Sequence, residues 1–80
     1  MRTPQTNAAF RVALTKYRDS QGNVYGIEKT VRTGHWMVIR TNEGGHRKAV
    51  KEFGATTNHT ALQVTLDSYA LVRQWKAVPE

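Results

Sequence analysis

Between Tyr25 and Phe53, three β-favouring runs are separated by two glycine-bearing breaks, and that spacing leaves few folds open. The runs are Tyr25 to Arg32, His35 to Arg40 and His46 to Phe53. Thr33-Gly34 lies between the first two, and Thr41-Asn42-Glu43-Gly44-Gly45 between the last two. Such a pattern predicts a three-stranded antiparallel meander with one tight and one looser hairpin. Between Lys29 and Lys51 inclusive lie Lys29, Arg32, Arg40, Arg47, Lys48 and Lys51 against one carboxylate, Glu43. The expected sheet is therefore electropositive.

The flanks read as support. Met1 to Asn7 is polar and contains Pro4, which predicts a disordered lead-in over 1–7 and one domain over 8–80. Phe10 to Tyr17 alternates, with Phe10, Val12 and Leu14 on one face, as a half-buried strand does. Arg18 to Asn23 is turn chemistry that reverses the chain into Val24. After Gly54, Asn58 is a natural N-cap for a helix from Thr60 to about Lys76, a run without Gly or Pro. Leu62, Leu66, Tyr69 and Ala70 form the stripe assigned to the sheet. Val64, Leu71, Trp75 and Val78 form a second stripe, and Gln63, Asp67 and Gln74 a polar sector. Leu62 to Leu66 also alternates at period two, so a strand there is the competing reading. The fold class expected is α+β, a three- to four-stranded antiparallel sheet on one C-terminal helix.

At 80 residues the core is small, and without cysteine neither a disulfide nor a thiolate metal site can reinforce it. A second copy or a bound partner is the remaining source of burial. Twelve Lys and Arg against six Asp and Glu give +6, which favours polyanions through steering and counterion release. No apolar run approaches the ~20 residues of a membrane span. The first residues lack the apolar core of an export signal, so a cytoplasmic location is expected.

The candidate nucleic-acid contacts are Arg32, His35, Arg40, Arg47, Lys48 and Lys51. Arg can grip a phosphate with two donors, and Lys supplies an adjustable point charge. These residue types suit phosphate contacts better than base reading. Trp36 is expected in the core. Val64, Leu71 and Trp75 are the candidate protein interface, for a second copy or a host protein. His35, His46 and His59 have no metal-ligand spacing, and no nucleophile–base–orienter set appears, so neither a cofactor nor catalysis is expected.

Tyr25-Gly26-Ile27, Gly34-His35-Trp36-Met37-Val38-Ile39-Arg40, Lys51-Glu52-Phe53-Gly54 and the helical run from Thr60 to Ala70 together resemble the AP2/ERF-like DNA-binding fold. That group includes the arm-type N-terminal domains of phage-style tyrosine recombinases. The resemblance covers about residues 25 to 72. It implies a sheet that contacts duplex DNA, backed by the helix, in a phage or mobile-element module. Trp36, Val38 and Phe53 would then face the helix, leaving Met37, Ile39 and Thr41 at positions that are usually polar or basic in the family. A one-residue slip would instead turn Trp36, Val38 and Arg40 outward. The doubly apolar helix and Met37 and Ile39 suggest a second function, a phage-type inhibitor or adaptor acting on a host nucleic-acid-processing complex, as anti-CRISPR proteins do. A third resemblance is to the Gly-Ser-His element of HicA-type ribonucleases, carried by Gly34-His35 without the Ser. It would make His35 an acid or base.

Overall fold

The computed structural model describes residues 14–79. The expected lead-in over 1–7 and most of the strand expected from Phe10 lie outside them. The described chain opens with β1 (Tyr17–Arg18), turns, and continues into β2 (Val24–Lys29). β3 (Trp36–Thr41), β4 (Arg47–Ala49), a 3-10 turn at Lys51–Phe53 and β5 (Ala55–Thr56) follow. The helix α1 (His59–Arg73) and a short β6 (Lys76–Ala77) complete it. The strands form one antiparallel sheet in the order β4-β3-β2-β1-β6, with β5 also on β3.

The α+β architecture expected from the pattern is the one observed, with more strands than expected. The additions are short pieces that carry little sequence signal. β4 and β5 share one edge of β3. From the Ile39–Ala49 pair to the Met37–Ala55 pair, β3 advances two residues while its partner advances six. The 3-10 turn takes up the difference and carries Phe53 towards the helix. β6 forms where the helix was expected to continue.

The β1–β2 turn is organised by Asp19. Its Oδ1 accepts from the backbone N–H of Gln21 and Asn23, and its Oδ2 from Asn23 Nδ2 and the Tyr25 hydroxyl. Those hydrogen bonds outweigh the cost of desolvation and hold the Asp19 carboxyl below its ordinary range. At the far end of the sheet, Thr30 N–H donates to His35 O at 2.8 Å, and Gly34 supplies the positive φ of 73° that the hairpin needs.

The β2–β3 register pairs Ile27 with Val38 and Lys29 with Trp36. Directly paired residues share a face. Tyr25, Ile27 and Val38 therefore point together, and they bury against Leu62 and Leu66 of α1. Trp36 and Phe53 pack at the margin of this core. The strand does not slip, so Met37, Ile39 and Thr41 lie on the face away from the helix. Leu66 and Val38 are fully enclosed. Truncating Leu66 to Ala would cost about 2–5 kcal/mol, a large share of what so small a domain possesses.

Asn58 caps α1 as expected, its Oδ1 accepting from Ala61 N–H at 3.0 Å. Leu62, Leu66 and Ala70 are buried and Tyr69 half-buried, so the sheet-facing stripe stands, and Leu62–Leu66 is helix rather than strand. Two expectations need correction. The helix ends at Arg73, because Gln74 takes the left-handed conformation (φ 61°) and Trp75 N–H bonds Ala70 O. Trp75 and Val78 thus leave the second stripe: Trp75 stacks on Tyr25, and Val78 N–H bonds Lys16 O. Gln63 does not belong to a solvated polar sector, since it is only 2% exposed. Its amide pairs with Thr15, accepting from the backbone N–H and donating to the carbonyl.

Candidate nucleic-acid interface

Strand parity divides the cations that the sequence groups together. Tyr17, Tyr25, Arg40 and Lys48 form one cross-strand row on the helix side of the sheet. Arg18, Val24, Thr41 and Arg47 form the next row, on the open side, with Lys76 opposite Arg18. Arg40 and Lys48 therefore stand on the helix side, and Arg47 stands on the other. Arg32 and His35 belong to the β2–β3 hairpin, roughly 17 Å along β3 from Arg40 at the strand's ordinary rise. The six expected contacts do not make one surface.

Three of them do converge. Arg40, Lys48 and Lys51 line a hollow of ≈ 280 Å³ with Ala49 and Val50, at the β4 edge of the helix side. β3 and β4 hold Arg40 directly opposite Lys48, and the first residue of the 3-10 turn brings in Lys51. Like charges directly opposed across a ladder are unfavourable. Among the described residues the one ion pair is Arg47 with Glu28, so these three cations have no carboxylate at salt-bridge distance.

An aromatic cluster begins at Tyr25, the partner of Arg40 in the β2–β3 ladder. Trp75 stacks on Tyr25 with ring centroids 4.0 Å apart and planes 12° from parallel. Tyr69 lies 5.4 Å from Trp75 and meets Phe53 edge-on at 4.8 Å. The Arg73 guanidinium sits 3.7 Å above the Tyr69 ring. Burial first, and then the hydrogen bond to Asp19, raise the Tyr25 hydroxyl above its ordinary pKa, while Arg40 beside it acts in the opposite sense. Tyr69 is raised by desolvation and by its 3.1 Å hydrogen bond to Glu52, the residue after Lys51. Contacts thus run from Arg40 through Tyr25, Trp75 and Tyr69 to the 3-10 turn, beside the hollow rather than lining it.

The open side is different. Met37, Ile39 and Thr41 are half-buried there. Arg47 reaches across to Glu28, and the Lys16 stem lies over Gly26, where a Cβ would come within 2.9 Å of Lys16 Cγ. Lys16, Arg18 and Lys76 belong to this side and escaped the sequence reading. Extending the alternation that joins Leu14 to Lys16 would have placed Arg18 with them, but β6 gives no advance signal.

His35 is half-buried before β3, His46 closes the β3–β4 loop, and His59 opens α1 against Trp36 at 4.9 Å. The three histidines thus sit on separate elements. Val64 and Leu71 are 58% and 80% exposed on the outer face of α1, joined by Val72, while Trp75 lies apart from them. No helix among the described residues is long and apolar enough to cross a membrane. Compared with protein-family models, curated proteins and solved structures, the chain finds no match in any of the three.

Proposed function

We propose that the protein binds nucleic acid through the phosphate backbone, at the hollow ringed by Arg40, Lys48 and Lys51. One observation carries this reading: Arg40 opposes Lys48 across the β3–β4 ladder with Lys51 beside them, and among the described residues no carboxylate pairs with any of the three. Such an arrangement opposes folding and is relieved when a polyanion supplies the missing charge. The net charge of +6 adds long-range attraction. The duplex DNA expected from the AP2/ERF resemblance would instead meet the open side of the sheet. There Met37 and Ile39 hold the centre and Arg47 is already paired.

Fluorescence anisotropy across a salt series tests the proposal. The double variant Arg40→Ala/Lys48→Ala should bind all sequences more weakly, and its salt slope should fall by about 2. No binding at low salt, or equal binding by the double variant, would sink the reading.

A second reading, an adaptor or inhibitor docking on another protein, is favoured by the exposed Val64, Leu71 and Val72. It predicts a stoichiometric protein partner lost in Leu71→Lys but kept in Arg40→Ala.

A further inference from the structure

The aromatic cluster adjoins the cationic hollow at two points, Tyr25 paired with Arg40 and Tyr69 bonded to Glu52 next to Lys51, and from this we infer that the strand bound there is single, its bases stacking beside Tyr69 and Trp75 while its phosphates meet Arg40, Lys48 and Lys51. The inference rests on the proposed nucleic-acid reading and names the form of the ligand.

Charge and aromatic surface are adjacent. Tyr25 is paired with Arg40 across the β2–β3 ladder, and Trp75 lies flat on the Tyr25 ring. Tyr69 touches both Trp75 and Phe53 and reaches Glu52, next in the chain to Lys51. A ligand whose charges occupy the hollow therefore has aromatic surface directly alongside. Tyr69 and Trp75 are each only half-buried, so part of each ring remains open to contact.

Duplex and single strand expose different chemistry. In a duplex the base faces are stacked inside, and only base edges and phosphates are offered to a protein. Rings interleaved with cations gain nothing from such a ligand. An unpaired strand presents both phosphates and π-faces, and every base has a π-face, so the preference would be for strandedness rather than sequence. Arg73 adds to this. Its guanidinium carbon sits 3.7 Å from the centre of the Tyr69 ring, which places a cation directly at the aromatic surface.

The experiment compares an oligodeoxythymidine of about 20 nucleotides with a mixed-sequence duplex of the same length. Affinities and salt slopes are measured for the full chain and for Tyr69→Leu and Arg73→Gln. The second variant is exposed and tests the inference should the first fail to fold, which circular dichroism reports. The single strand should bind more tightly than the duplex. Tyr69→Leu should lose about tenfold affinity for the single strand while keeping the salt slope, because stacking releases no counterions, and Arg73→Gln should lose more affinity for the single strand than for the duplex. A simple loss of fold would remove affinity for both ligands alike. A duplex bound as tightly as the single strand, or full affinity in Arg73→Gln, overturns the inference and leaves the phosphate reading standing. Failure to bind either ligand at low salt overturns both.

Discussion

Gln63 lies beside Leu62 and is as well enclosed, because its amide does what a neighbouring strand would do. It accepts from Thr15 N–H and donates to Thr15 O, and it also donates to Asp67 Oδ1 at 2.8 Å. A buried amide is tolerated only when so partnered. Gln63→Ala would leave both Thr15 backbone groups without their partners and remove buried volume. Urea denaturation should show a loss of about 2 kcal/mol, and a loss below about 0.5 kcal/mol would mean that water replaces the amide without penalty. Nothing in the sequence marks this role, since a Gln between Leu62 and Val64 looks like an ordinary solvated helix position. Trp75 misleads in a similar way. Its spacing from Leu71 suits a continued helix, but the stack on Tyr25 and the left-handed Gln74 end the helix first.

At the level of elements, β1 is only two residues long and depends on the helix to hold it. The Tyr17 hydroxyl donates to Asp67 Oδ1 at 2.6 Å. That hydrogen bond first, and then burial and the Asp67 charge, push the Tyr17 pKa up from 10.0 to about 12. The folded state therefore keeps the Tyr17 proton where the unfolded chain would lose it. Its contribution is complete below pH 10 and disappears as pH rises towards 12. Thermal melts across that window should show wild-type stability falling, and Tyr17→Phe should show a shallower fall from a lower starting point. Parallel curves would dissociate the Tyr17–Asp67 contact from folding. The helix start and both meander hairpins were legible in the sequence, because Asn58, Gly34 and the Asn42–Gly45 run act through their own backbone neighbourhood. β5 and β6 were not legible, because two-residue strands form only where a paired edge is already waiting for them.

Over the whole molecule, charge is arranged against stability at Arg40 and Lys48, and again at Arg18 and Lys76 on the other side of the sheet. Lys48→Gln should raise stability at low salt by about 0.5 kcal/mol while weakening nucleic-acid binding. The gain should vanish above about 0.5 M salt as screening removes the repulsion. A gain that persists at high salt would assign the effect to packing instead. By itself, the sequence determined the sheet's central strands and their hairpins, the capped helix and its buried stripe, and the excess of positive charge. Each of these is encoded by residues near one another in the chain. Tertiary structure decided which cations gather. Alternation says that Arg47 and Lys48 point opposite ways, the β3–β4 register sets Lys48 beside Arg40, and the helix, packed over Ile27 and Val38, puts that pair on the side of the aromatic rings. The same packing ended the helix at Arg73 and turned Trp75 onto Tyr25, since a ring partner far along the chain outweighs a local helical preference.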